Sequence, residues 1–130
     1  VLEKHLKHLL KLKPDHAHAL NALGYSLAER NTRLAEAHKL ISQALALAPQ
    51  DPFIMDSMGW VLFRQGKLPE SLKTLEAAYG IKADPEIAAH LGEVLWTMGR
   101  KDDASRIMNE AAKKFPDNEV LASALKKFQP

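Results

Sequence analysis

The chain has 130 residues, of which 46% are hydrophobic and 26% charged, and its formal net charge is +2 at pH 7. Charges of both signs are interspersed, which argues against a nucleic-acid domain with a basic stripe. The sequence contains no cysteine, so disulfides, zinc fingers and a thiol nucleophile are excluded. No apolar run in the sequence approaches the length that a membrane span requires.

The sequence predicts helices from one end to the other. In residues 1–12, leucines recur at helical spacing and lysines occupy the opposite face. Pro14-Asp15 ends this helix. The rest of the chain is predicted to form three helix pairs and one last amphipathic helix. The pairs are 17–30 with 34–47, 53–64 with 68–79, and 84–97 with 101–114, and the last helix is 120–128. None of these segments shows the period-two alternation of a strand.

Three glycines that follow a leucine or methionine reveal an internal repeat. Gly24, Gly59 and Gly92 each lie in the first helix of a predicted pair, and they are 35 and 33 residues apart. A period of about 34 residues is typical of stacked helix pairs, not of a single globular core. Such an array has an extended concave face in place of an enclosed cleft, and faces of this kind bind other chains.

These residues resemble the tetratricopeptide repeat. That family has Leu-Gly in the first helix of each unit, alanine in the second helix and proline at its end. The first unit matches the pattern with Leu23, Gly24, Ala37, Ala44 and Pro49. The departures from the pattern are Asn31 for the usual loop glycine, Ser71 for an alanine of the second unit, and Ala83 for its closing proline.

The resemblance implies an all-α, right-handed α-solenoid of antiparallel helix pairs. Residues 1–14 would be the second helix of a truncated repeat, and residues 118–130 a capping helix. The three full units would cover residues 15–50, 51–83 and 84–117. Because the chain starts inside an apparent helix, we expect it to be part of a longer protein.

The resemblance also implies a ligand groove, because the first helix of each unit lines the concave face in this family. The inward positions of these helices hold most of the aromatic residues of the chain, and their polar members are mostly acidic. The predicted groove residues are Asn21, Tyr25, Phe53, Asp56, Trp60, Phe63, Arg64, Glu86, Glu93 and Trp96. The groove lacks the full set of lysines and asparagines with which some family members clamp a terminal carboxylate, and Asn21 and Arg64 alone would be a poor clamp.

We therefore expect a peptide or protein partner that has apolar anchors and some basic groups. Binding is expected to bury side chains of the partner on Tyr25, Trp60 and Phe63. Asp56 or Glu93 is expected to pair with a lysine or arginine. The alternative for Trp60 and Trp96 is that they pack between adjacent units. Phosphate backbones would be repelled by the acidic groove, so no nucleic-acid partner is expected. No direct insertion of this chain into a membrane is expected either.

Catalysis is not expected. The four histidines His5, His8, His16 and His18 lack a carboxylate that would complete a metal site. His90 with Glu93 suggests acid–base chemistry, but no nucleophile with an ordered base accompanies them. The sequence therefore predicts a binding module, not an enzyme, with no cofactor and no metal.

Two other functions stay open: self-assembly into a homodimer, and binding of RNA by a helical repeat. A further likeness concerns Leu23–Leu27, Asp56–Trp60 and Asp84–Glu93, which are similar to the carboxy-terminal part of tetratricopeptide lipoproteins of the Gram-negative envelope. That likeness implies an adaptor in the bacterial periplasm, tethered to the outer membrane in the full-length protein. The alternative location is the cytoplasm.

Overall fold

A computed structural model describes residues 2–128, with Leu2 described by its backbone alone. The predictions for Val1, for the side chain of Leu2 and for residues 129–130 lie outside this range. Within it there are eight helices and no strand: α1 (Leu2–Leu12), α2 (Ala17–Glu29), α3 (Leu34–Leu47), α4 (Pro52–Arg64), α5 (Leu68–Ile81), α6 (Pro85–Thr97), α7 (Lys101–Lys114) and α8 (Glu119–Lys127). The all-α class is thereby confirmed.

Four helices begin at a capping residue that recurs once per repeat. Asp51 precedes α4, and its Oδ1 accepts hydrogen bonds from the backbone N–H groups of Phe53 at 2.9 Å and Ile54 at 3.2 Å. Asp84 caps α6 in the same way. A proline follows each of these aspartates at the first helical position, where its missing N–H costs nothing. The caps of the other two helices are His16 for α2 and Asn118 for α8.

The turn inside each helix pair requires a left-handed backbone at one shared position, and the longer first turn has a second such residue, Arg33, with φ of +46°. Gly66 and Gly99 adopt it with φ of +81° and +84°. Asn31 takes the equivalent place in the first unit with φ of +54°. Asparagine tolerates this region better than most residues with a Cβ atom, which explains how the first unit manages without a glycine.

The two helices of a pair pack closely because the first contributes a glycine. A Cβ atom added to Gly24 would lie 2.6 Å from Cγ1 of Ile41, and both residues are buried. The second pair adds a polar contact, because the Ser71 hydroxyl donates a 2.7 Å hydrogen bond to the Gly59 carbonyl. Ser71 is completely buried. Its departure from the family's alanine is thus accommodated by a satisfied hydrogen bond.

The helices form two rows. The inner row consists of α2, α4, α6 and α8, and each of these helices contacts the next one in the row. The outer row consists of α1, α3, α5 and α7, and in residues 2–128 no two of its members contact each other. The array is therefore a solenoid whose inner row lies on the concave side. No helix in residues 2–128 is both long enough and apolar enough to cross a membrane.

Candidate functional site

His90 joins three helices of the inner row. Its Nδ1 atom lies 2.8 Å from Oδ1 and 3.1 Å from Oδ2 of Asp56 on α4. Its Nε2 atom is 3.5 Å from the Tyr25 hydroxyl on α2. The imidazole also stacks on Trp60, with ring centroids 4.3 Å apart. Because the His90 and Asp56 side chains are only 13% and 10% exposed, this contact is largely shielded from water.

Carboxylates around the His90–Asp56 pair change the pKa values of two side chains, His90 and the neighbouring Tyr25. Burial opposes the charged form of His90, but the Asp56 hydrogen bond and the nearby Glu29 and Glu86 carboxylates outweigh it, so the pKa of His90 is raised. Burial and the same carboxylates also raise the pKa of the Tyr25 hydroxyl. The site therefore favours positive charge and disfavours further negative charge.

Trp60 forms part of the groove wall and exposes only a small part of its ring. It is only 4% exposed. Its ring lies 5.0 Å from that of Phe63, and the Arg64 guanidinium lies 4.9 Å above it. This burial agrees with the alternative kept open from the sequence, that the ring packs between adjacent units, and a contact with a ligand stays a prediction. The indole N–H is buried without a hydrogen-bond acceptor in the described residues.

Asp56 also differs from its predicted role. The sequence analysis offered it, with Glu93, as the counter-ion of a ligand cation. The structure buries Asp56 to 7% exposure and uses its carboxylate to bind His90. The expectation for Asp56 is corrected, because its charge is already committed within the protein. Glu93, the other residue offered in the sequence analysis, stays the predicted counter-ion of a ligand cation.

Two cavities open on the concave face. The first, which we call the α8 cavity, has a volume of about 320 Å³ and takes residues from all four inner helices; they include Tyr25, Glu29, Trp60, His90, Glu93, Ala124, Lys127 and Phe128. The second, the α2 cavity, has about 180 Å³ and is lined by Asn21, Ala22, Tyr25, Phe53, Asp56, Ser57, Glu86 and His90. Tyr25 and His90 belong to both linings, so their contact separates the two cavities.

The cavities bring together seven of the ten predicted groove residues. Phe63 and Arg64 line neither cavity but pack against Trp60. Trp96 lines neither cavity; its ring lies 5.7 Å from Phe128, and Lys101 Nζ is 5.0 Å above it. It therefore supports the packing of α8 against α6.

That His90 connects three inner helices was not predicted from the sequence. A signal exists in the repeat: Asp56 lies three residues before Gly59, and His90 lies two residues before Gly92. These are neighbouring positions on successive inner helices. A side-chain pair across the unit boundary could have been proposed from that register alone.

The arrangement supports binding better than chemistry. Residues 2–128 contain no group of three or more histidine, aspartate or glutamate side chains that could hold a metal ion. The Tyr25 hydroxyl, which lies 3.5 Å from His90 Nε2, has a raised pKa that keeps it protonated and a poor nucleophile. The Ser57 hydroxyl donates instead to the Phe53 carbonyl at 3.1 Å.

Known proteins resemble this chain. Two family models described as tetratricopeptide repeat match residues 62–128 and 3–52. A TPR repeat-containing protein of Pseudomonas aeruginosa is 52% identical over 92 residues, which are 71% of this chain and 16% of that protein. The cell division cycle protein 16 homolog of Homo sapiens is 44% identical over 62 residues, 47% of this chain and 10% of that protein. The chain thus spans 16% and 10% of these two relatives.

Among solved structures, a thermophilic TPR protein of Thermus thermophilus superposes with a TM-score of 0.82. Its sequence is 23% identical, and the superposition covers 95% of this chain and 71% of that one. At this level of identity the likeness shows the fold alone.

Proposed function

This chain belongs to the tetratricopeptide repeat family, and we propose that its inner row of helices binds a segment of another protein. The chain would serve as an adaptor module within a larger protein and would have no catalytic role. The observation that carries this proposal is the α8 cavity, whose lining draws on all four inner helices. A surface shared by four successive helices suits an elongated ligand such as a peptide.

The charges on this surface indicate the chemistry of the partner. Glu86 and Glu93 belong to none of the ion pairs found within residues 2–128, and Glu29 has only a long contact of 3.9 Å with Arg64. Phe53 is 46% exposed beside them and offers an apolar contact. The proposed segment therefore carries basic and apolar groups. Phosphate backbones meet repulsion from these carboxylates, which disfavours an RNA ligand.

The test selects peptides from a random phage-displayed library on the immobilised protein and measures their affinity by fluorescence polarisation. We expect Phe53→Ala and Glu86→Gln, both at exposed positions of the inner row, to weaken the selected peptides by about tenfold or more. Lys73→Ala on α5 of the outer row is the control and should leave affinity unchanged. Loss of affinity in the control alone would place binding on the convex face and overturn the proposal.

Self-assembly remains a second candidate because of an apolar feature on the outer row. One large apolar residue is exposed at or just beyond the carboxyl end of each outer helix: Leu12 at 69%, Leu47 at 48%, Ile81 at 53% and Phe115 at 38%. Exposed apolar groups that recur along one edge are a potential contact between copies. Sedimentation velocity of the wild type and of Leu47→Lys, Ile81→Lys tests this idea, since association through this edge should disappear in the double variant.

The cellular location is also a proposal. The likeness of three segments to envelope lipoproteins supports a periplasmic adaptor, tethered to the outer membrane through another part of the full-length protein. Fractionation of cells that express the full-length protein, with protease access after osmotic shock, tests it. Recovery in the cytoplasmic fraction would contradict the envelope location without affecting the groove.

A further inference from the structure

The α8 cavity has room for a side chain. Its volume of about 320 Å³ lies at the lower end of the range of pockets that hold small ligands, roughly 300–1,000 Å³. Tyr25, Trp60 and Phe128 give its lining an aromatic character. A long side chain with an apolar stem and a polar head suits such a lining, because the stem can pack on the rings while the head reaches polar groups.

The charged groups around the cavity leave one carboxylate free. Glu29, Glu93 and Lys127 line it. Glu29 is 3.9 Å from Arg64, and Lys127 Nζ lies 5.1 Å above the ring of Phe128. Glu93 is half-buried and takes part in no ion pair within residues 2–128. A partly desolvated carboxylate without a cation is costly for the protein and attractive to a cationic group.

His90 does not cancel this attraction. Its imidazole also lines the α8 cavity, but the Asp56 carboxylate lies 2.8 Å from its Nδ1 atom. When His90 is protonated, the two residues form a neutral pair. The other charges around the cavity are the carboxylates of Glu29 and Glu93 and the cations of Arg64 and Lys127, whose formal sum is zero. The attraction for a cation is therefore local to Glu93, which has no cation within ion-pair distance in residues 2–128.

We propose that the α8 cavity receives one basic side chain, lysine or arginine, from the bound segment, and that Glu93 is its counter-ion. This inference rests on the proposed function, which it deepens by naming the residue type that the groove selects. Trp60, whose indole N–H is buried without an acceptor in residues 2–128, lines the same cavity and can report on its occupancy.

The direct test titrates the ¹⁵N-labelled protein with the N-acetyl methylamides of lysine, arginine, norleucine and glutamate. The chain has two tryptophans, so the Trp60 indole reports on the cavity and the Trp96 indole is an internal control. We expect the lysine and arginine derivatives to shift the Trp60 signal saturably and to shift that of Trp96 less, because Trp96 contacts the cavity only through Phe128. The uncharged norleucine derivative should bind about fivefold more weakly or worse, since it lacks the charge-assisted contact.

Glu93→Gln should weaken the lysine derivative by about tenfold, because an amide has no net charge for the ammonium group. Glu76→Gln, an equal change of charge at an exposed position of α5, is the matched control and should weaken it less than about twofold, as expected of a distant exposed charge. Circular dichroism verifies that both variants remain helical. Equal effects of the two variants, equal binding of norleucine, or the absence of a Trp60 shift would each overturn the proposal.

Lys127→Gln provides a test with the opposite sign. Lys127 is the cation of the protein that lines the cavity, so it competes with an incoming cation. Its neutralisation should tighten binding of the lysine derivative by about two- to fivefold, the size of a partly exposed charge pair. Weaker binding in this variant would show that Lys127 supports the ligand and would contradict the assignment.

Peptides selected from the library separate this inference from the proposed function. If they bind the inner row but tolerate norleucine in place of every lysine and arginine, the groove stands and the assignment of the cavity fails. If they bind the outer row while the lysine derivative still shifts Trp60, the cavity does bind a cation but the groove proposal fails.

Discussion

The contact between His90 and Asp56 makes stability depend on pH. The folded-state pKa of His90 is raised from its ordinary value of 6.5. Its contribution is therefore fully present below that value and is lost as the pH rises through the folded pKa. We expect the difference in unfolding free energy between the wild type and His90→Gln to shrink as the pH rises above 6.5 and through the raised folded-state pKa. Urea titrations across this range measure it, and a difference that grew with pH would contradict the assignment of the charged form.

A second residue with a predictable effect is Ser71, whose hydroxyl donates to the Gly59 carbonyl in the core. Ser71→Ala keeps the volume small but removes this hydrogen bond, so it should lower the unfolding free energy by about 1 kcal/mol. Ser71→Val should cost more, because two methyl groups then crowd the close helix pair. Urea denaturation of the three proteins gives the order, and equal stability of the wild type and the valine variant would show that the pair is loosely packed.

At the scale of an element, the recurrent helix caps contribute to each unit separately. Asp51→Ala removes the acceptor of two backbone N–H groups at the start of α4 and should cost about 1 kcal/mol. Asp51→Asn should retain most of this stability, because its side-chain oxygen can still accept. Thermal unfolding followed by circular dichroism compares the variants. A similar loss for both would mean that the charge at the helix start matters more than the hydrogen bonds.

At the scale of the whole molecule, stability should be highest in the middle of the array. The core has two clusters of buried side chains: one joins α2, α3 and α4, and the other joins α5, α6, α7 and α8. Phe63 packs against both of them. Helices α4, α5 and α6 have neighbours on both sides, so their amides should exchange most slowly with solvent, and those of α1 and α8 fastest. Exchange monitored by mass spectrometry tests this order. Slowest exchange in α1 would show that interactions outside the array hold that end.

The sequence was sufficient to predict the helix pairs. Gly24, Gly59 and Gly92 mark the closely packed faces, and the prolines and turn residues locate the ends of the helices to within about two residues. The burial of Trp60 was not predictable in this way. It depends on how far one unit rotates against the next, and that angle is fixed by contacts between positions 34 residues apart, such as Asp56 with His90. The periodicity within one helix contains no information about this angle, although the register between repeats indicates which positions can pair across a boundary.

The spacing of the two rows has a mechanical consequence. Successive inner helices already touch, so stronger curvature would compress close-packed side chains, which resist it. In residues 2–128 the backbones of successive outer helices do not approach each other as those of the inner helices do, so the array has room to straighten. The array should therefore resist an increase in curvature more than a decrease. The concave face widens for a bulky ligand more easily than it closes around a thin one. Small changes in the angle between successive repeats add up along the array. A bulky ligand can therefore be accommodated without a large distortion of any single repeat.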